Sequence, residues 1–184
     1  GYGFHEHSVQ VAREIGASLM ITVDCGITSR ETVDHARQHG IDTIITDHHE
    51  QNGPLPNAVA VLNPKREDST YPDDNLAGIG VAFKLVSALI QRGMLRFPIT
   101  SMLELVALGT VADVARLISE NRILVYHGLQ ALTHTSHAGL KALKKVAHIV
   151  HGRNMDPYTI GYQLGPRINA VGRLGAPEFA LNLL

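Results

Sequence analysis

The stretch IDTIITDHH at residues 41–49 joins a short apolar segment to three polar side chains. Its isoleucine-rich first part, residues 41–46, predicts a buried strand. Asp47, His48 and His49 follow directly where that strand ends. Carboxylate and imidazole groups are ligands for divalent metal ions. The side chains of two histidines that directly follow a buried strand must also point in a specific direction. The stretch therefore predicts a metal site at the end of a strand.

A second stretch repeats this form closer to the N-terminus. LMITV at residues 19–23 predicts another strand, and it is followed by Asp24 and then by Cys25, which we interpret as a small space-filling residue. In open parallel α/β sheets, ligands bind just beyond the carboxyl ends of the strands. Taken singly, Asp24 and Asp47 are also typical of turn or capping residues, but their shared position favours a metal-dependent enzyme that acts on phosphate.

Helical patterns alternate with these strands and predict the fold class. We expect an α/β protein with a small parallel sheet and flanking helices, followed by a helical portion. The strands are almost entirely apolar, which is typical of sheets covered on both faces. We place the α/β metal-binding domain at residues 1–113 and the helical portion at residues 114–184. The predicted strands are 19–23, 41–46 and 58–62, and the predicted helices are 5–16, 28–39, 78–91, 101–112, 120–132, 140–150, 157–164 and one from Pro177 onward.

Composition limits the class of protein. The 184 residues contain one cysteine, which excludes an internal disulfide framework. No apolar stretch reaches the ~20 residues of a membrane helix, and the first residues lack a signal-peptide pattern, so we expect a cytoplasmic location. The net charge is −6 up to Asp113 and +5 from Val114 onward. This asymmetry suits a metal-bound polyanion such as a nucleic acid, and it is equally typical of two solvated faces of different composition.

Two further segments offer candidate residues. Asp113 ends the apolar stretch ALGTVAD, where a buried carboxylate is costly without a partner or a metal, although a helix end that reaches water also explains it. The segment GPRINAVGR, residues 165–173, carries Arg167, Asn169 and Arg173. Arginine forks suit phosphate oxygens, and glycines permit close backbone approach. The alternative is a glycine that ends the helix at 157–164, followed by two solvated arginines.

These residues together resemble the DHH phosphoesterase superfamily, and most closely its RecJ-type single-strand-specific exonucleases. The resemblance implies a Mn²⁺- or Mg²⁺-dependent phosphodiesterase that removes nucleotides from the 5′ end of single-stranded DNA in recombination and repair. The matching segments occur in the family's order and cover nearly the whole chain. They are ITVDCGITS (21–29), TDHHE (46–50), LNPK (62–65), LAGIGVAFKL (76–85), ALGTVADV (107–114), ENR (120–122) and GPRINAVGRLG (165–175).

The resemblance also implies roles for individual residues. Asp24 would bridge two metal ions, His48 would be a direct ligand, and Asp113 would be the other carboxylate ligand. His49 would lie at the site, toward the scissile phosphate. Asp47 would orient the histidines from outside the ligand set. The implied chemistry is two-metal hydrolysis of a phosphodiester.

The chain departs from the family pattern in ways that shape the expectations. We expect that it begins after the family's Asp-x-Asp-Gly motif and ends before the C-terminal substrate-binding domain. This would leave the metal site incomplete and the chain alone inactive or nearly so. Arg116 stands where the family usually has proline. Two alternatives stay open. One is a relative that hydrolyses cyclic dinucleotides, oligoribonucleotides or pyrophosphate. The other is a non-catalytic scaffold, which the presence of the candidate site residues Asp24, His48, His49 and Asp113 disfavours.

Overall fold

The structure, a computed structural model, describes residues 3–150, 152–173 and 177–184, without the side chains of Arg173 and Pro177. The chain divides into two compact units, Gly1–Val86 and Ser87–Leu184. The division after Asp113 stays a prediction, because it concerns where the metal-binding domain ends and compactness alone does not decide that.

The first unit contains the predicted parallel sheet. Its three strands are β1 (Leu19–Val23), β2 (Asp42–Thr46) and β3 (Ala60–Leu62), hydrogen-bonded in that order and parallel throughout. Helices α1 (Glu6–Glu14) and α2 (Arg30–Gln38) flank the sheet, and α3 (Gly78–Gln91) begins in this unit. The α/β architecture is therefore confirmed. The third strand is two residues shorter than the pattern predicts.

One face of this sheet is packed against α1 and α2. Val9 and Val33, one from each helix, are buried against Ile45 of β2, and Met20 packs at the edge of this cluster. Side chains alternate along a strand, so the intervening residues of β1 point to the other face. There Ile21 is 50% exposed, and Leu19 and Val23 are exposed as well. The prediction that both faces of β1 are covered is thus wrong for this chain, because its two packed helices lie on one face of the sheet.

The second unit is helical, as predicted. After a 3₁₀ turn at Ile99–Met102 come α4 (Leu103–Ala112), α5 (Ser119–Thr133), α6 (Ala138–Val146), α7 (Pro157–Thr159), a π turn (Ile160–Leu164), α8 (Gly165–Arg173) and α9 (Pro177–Leu183). The prediction that the helix from 157 ends at Leu164 is wrong. Helical structure continues through GPRINAVGR, since Ile160 and Leu164 are anchored in the core and carry the chain into α8. None of the described helices is long and apolar enough to cross a membrane.

Close approach and capping hold the second unit together. A Cβ added at Gly128 of α5 would lie 2.2 Å from the carbonyl oxygen of Leu103, so α4 and α5 touch at a position that only glycine permits. At the C-terminal end of α5, the ammonium group of Lys144 donates hydrogen bonds to the carbonyls of Leu132 (2.8 Å) and Thr133 (3.0 Å). Burial lowers the pKa of Lys144, and the negative charge of Glu104 partly offsets this shift.

Candidate metal centre

The parallel register of β1 and β2 brings their two acidic extensions to one edge of the sheet. Val23 pairs with Thr46, so Asp24 and Asp47 follow at the same level. The backbone N–H of Asp24 donates to the carbonyl of Thr46 at 2.9 Å, and the Thr46 hydroxyl donates to the carbonyl of Thr22 at 2.7 Å. These bonds hold the two strand ends together at the point where the candidate ligands emerge.

Asp24, His48 and His49 form a cluster suited to a cation. Each residue offers one ligand atom, and these atoms lie within 4.8 Å of one another. Among the residues that the structure describes, this is the group of histidine and acidic side chains close enough to hold one metal ion. Nε2 of His48 lies 3.0 Å from Oδ1 of Asp24. Two ligands bound at right angles to one ion at ~2.1 Å are ~3 Å apart, so this spacing fits a common octahedral ion. The His48 side chain is 13% exposed, whereas those of Asp24 and His49 face solvent more openly.

Asp47 organises the histidines from a buried position. Its Oδ1 accepts hydrogen bonds from the amides of His48 (2.8 Å) and His49 (3.2 Å) and from Nδ1 of His49 (2.7 Å), while Oδ2 accepts from the Ile27 amide (2.9 Å). Burial raises the pKa of Asp47, but the hydrogen bonds, led by that from Ile27, outweigh it and hold the pKa below its ordinary value. A donating Nδ1 leaves the Nε2 lone pair of His49 for a ligand.

Two supporting residues carried no assigned role in the sequence. The side-chain amide of Asn63, which follows β3, donates to the carbonyl of His49 at 2.9 Å. Gly78 begins α3, and a Cβ added there would lie 2.1 Å from Oδ1 of Asp24. Both lie in segments that match the family, LNPK and LAGIGVAFKL, but an asparagine at a strand end and a glycine at a helix start have ordinary local explanations. The roles of Asn63 and Gly78 become visible only in the contacts that they make with His49 and Asp24, which are distant in sequence.

The backbone is strained beside both candidate carboxylates. Asp24 has a φ of 64°, in the left-handed region. Val114 has a φ of 59°, which is an outlier for a β-branched residue. It follows Asp113, an exposed residue at the C-terminal end of α4. A carboxylate at this position lies at the negative end of the helix dipole, where it destabilises the helix. Helix stability therefore does not explain why an aspartate occupies position 113. Strain of this kind concentrates at functional sites. Because Asp113 belongs to the second compact unit, its convergence with Asp24 and His48 stays a prediction.

The three candidate phosphate-binding residues lie in α8. Arg167 and Asn169 are exposed, and one guanidinium nitrogen of Arg167 donates to the carbonyl of Gln163 at 2.7 Å. The side chain of Arg173 lies outside the described residues. The structure corrects the secondary structure predicted for this segment, while its contact with phosphate stays a prediction.

The fold and site define a class, a parallel α/β domain with a candidate carboxylate–histidine metal site at the carboxyl edge of its sheet. The chain belongs to the DHH family, since the family model described as "DHH family, N-terminal domain" matches residues 4–110.

Several relatives of the chain carry the same name. The chain is 44% identical over 184 residues to the single-stranded-DNA-specific exonuclease RecJ of Bacillus subtilis (strain 168), and 40% identical over 195 residues to that of Escherichia coli (strain K12). Each alignment covers all of this chain, but 23% and 34% of the relative. A crystal structure of exonuclease RecJ bound to manganese superimposes with a TM-score of 0.86 at 35% identity, covering 100% of this chain and 46% of that one. The chain thus spans about a quarter to a third of the curated relatives it matches.

Proposed function

We propose that this chain carries the metal site of a 5′–3′ exonuclease that hydrolyses phosphodiester bonds of single-stranded DNA. The observation that carries the proposal is the convergence of Asp24, His48 and His49 at the ends of two parallel strands. The names of the relatives supply the substrate class, and the manganese in the RecJ crystal structure supports a hard divalent cation, Mn²⁺ or Mg²⁺.

The residues of the site divide the work. Asp24 and His48 bind the cation, with Asp113 as a further carboxylate ligand, and His49 faces the scissile phosphate. Asp47 keeps His49 in one tautomer and one direction by accepting its Nδ1 proton. A divalent ion held by these residues would neutralise phosphate oxygens and lower the pKa of a bound water, so that hydroxide could form near neutral pH.

The second half of the chain supplies positive charge for the substrate. Its net charge is +5 from Val114 onward. Arg167, Asn169 and Arg173 lie on the single helix α8, and we propose that they line the phosphate path of single-stranded DNA. Arginine suits this task because its planar fork binds phosphate oxygens in pairs. We also propose a cytoplasmic location, which the single cysteine of the chain supports.

The test uses the full-length protein that contains this chain, with 5′-labelled single-stranded DNA and Mn²⁺. Asp24→Asn and His48→Ala should each lower the rate about 100-fold or more, the upper end of what even supporting residues of metal sites contribute. Asp42→Asn is the matched control, since this exposed aspartate lies at the opposite end of β2 from the site. His39→Ala, which removes an exposed histidine of the same unit, controls for imidazole loss. Wild-type rates in the ligand variants would contradict the assignment.

Substrate choice and polarity are tested with the same protein. We expect release of labelled mononucleotide from linear single strands at the first turnover, and no hydrolysis of a circular single strand. Faster hydrolysis of a cyclic dinucleotide than of single-stranded DNA would favour the small-molecule alternative. Retention of the 5′ label while the 3′ end shortens would contradict the proposed polarity. For Asp113, the measurement is Mn²⁺ affinity of Asp113→Asn, which should fall if it is a ligand.

A further inference from the structure

Two tyrosines in the second unit form an exposed stack that the metal site does not use. The rings of Tyr158 and Tyr162 lie with centroids 4.7 Å apart and planes inclined by 28°. Their exposed fractions are 62% and 71%. A pair of large aromatic rings held together in solvent gives up burial that each ring would gain in a core. The pair therefore calls for a ligand with a flat apolar face.

The backbone below the rings is held firmly. Asp156 begins this helical segment by accepting the amide hydrogen bond of Thr159 at 2.7 Å. Thr159, Ile160 and Leu164, on the same segment, are fully buried, the last two in the core of the second unit. One side of the segment is thus fixed by packing, and the other side presents the tyrosines. Rings on such a support lose little freedom when they bind a ligand.

The turn that carries Tyr162 has an irregular hydrogen-bond pattern. Residues Ile160–Leu164 form a π turn between two α-helical stretches. Single π turns are rare and occur frequently at functional sites. This one leads without interruption into α8, where Arg167 and Asn169 are exposed. The aromatic pair and the basic helix are consecutive parts of one helical segment.

We propose that Tyr158 and Tyr162 form a stacking platform for the bases of single-stranded DNA. This inference rests on the proposed function and deepens it. Phosphates need cations, which α8 and the net charge of +5 in this half of the chain supply. Unpaired bases need exposed aromatic faces, and stacking on them tolerates any sequence because every base has a π-face. In duplex DNA the bases are already stacked on each other, so the platform favours single strands.

The test measures binding of oligo(dT) by the full-length protein with Ca²⁺ in place of the catalytic cation. Tyr162→Ala and Tyr158→Ala should each weaken binding about fivefold to 150-fold, the range expected for one stacked base. The slope of log affinity against log salt should not change, because no charge is lost. Tyr162→Phe should bind like wild type, whereas Tyr162→Leu, apolar but not aromatic, should bind like Tyr162→Ala. Tyr126→Ala, at an exposed tyrosine of α5, is the matched control and should leave binding unchanged.

An abasic oligonucleotide of equal length separates stacking from all other contacts. It keeps every phosphate, so the penalty of the tyrosine-to-alanine changes should shrink toward none on this ligand. Equal penalties on normal and abasic strands, or wild-type binding of oligo(dT) by both alanine variants, would overturn the platform while leaving the nuclease proposal intact. Absence of single-strand binding by the wild-type protein would overturn both proposals.

Discussion

The close approach of Gly78 to Asp24 makes the metal site sensitive to one methyl group. In Gly78→Ala the new Cβ would lie 2.1 Å from Oδ1, 2.6 Å from Cγ and 2.8 Å from Cβ of Asp24. An ordinary contact needs ~3.4 Å, so Oδ1 must withdraw by about 1.3 Å. Rotation of the carboxylate does not remove the clash, because Cβ of Asp24 is itself too close. The backbone of β1 or of α3 must shift.

We expect this shift to disable the site more than the fold. Overpacking of this size costs about 1–3 kcal/mol of unfolding free energy. A displacement of about 1 Å at a reacting centre costs about 100-fold in rate, and Asp24 also lies 3.0 Å from His48. In the full-length protein, Gly78→Ala should therefore weaken Mn²⁺ binding, followed by electron paramagnetic resonance of free Mn²⁺, and lower the rate on single-stranded DNA about 100-fold. Gly161→Ala is the control for Mn²⁺ affinity, since its Cβ would meet Val111 at an ordinary 3.9 Å.

A double-mutant cycle identifies the obstacle. Asp24→Gly removes every atom of Asp24 that the new methyl group would meet, and glycine accepts the left-handed φ of 64° at this position. The destabilisation caused by Gly78→Ala, measured by urea unfolding, should largely disappear in the Asp24→Gly background. The same destabilisation in both backgrounds, or wild-type Mn²⁺ affinity of Gly78→Ala alone, would refute the reasoning.

Three further predictions concern stability. Asp47→Ala should lose about 3 kcal/mol in urea unfolding, because buried amides lose their acceptor. Because the pKa of Asp47 is lowered in the folded state, its ionised form stabilises the fold fully above pH ~4, and this stabilisation is lost as the pH falls through the folded pKa. Asp47→Asn should therefore make unfolding free energy depend less steeply on pH in the acid range, and an unchanged acid dependence would count against this role of Asp47. Gly128→Ala should lower the calorimetric unfolding free energy by about 2 kcal/mol or more by forcing α4 and α5 apart, and an unchanged melting temperature would contradict this. Lys144→Met should cost about 1–3 kcal/mol because two buried carbonyls lose their donor, whereas the exposed Lys145→Met should stay within about 0.5 kcal/mol; equal effects would argue against the cap.

Local patterns predicted the elements that depend on local physics. Strand β1 lies at the predicted residues 19–23, and α3 lies at the predicted 78–91. Ile21, Thr22 and Val23 of β1 are β-branched and suit a pleated, half-buried strand, and Gly16 and Gly26 bound the run. The π turn and α8 were not predicted, because Gly165 and Pro166 are typical of a helix end. Buried Ile160 and Leu164 outweigh that local preference by anchoring the segment.

The sequence by itself determined the ligand types and their order along the chain. An aspartate after one apolar run and Asp-His-His after the next already indicate a metal site, because parallel strands deliver their carboxyl ends to one edge. Tertiary structure decided how those ligands are held. The hydrogen bond from the Ile27 amide to Asp47, the amide of Asn63 on the His49 carbonyl and the glycine against Asp24 all join segments that are distant in sequence. Such contacts depend on the positions of separate elements to within a few tenths of an ångström. The spacing of residues along the chain does not contain that information.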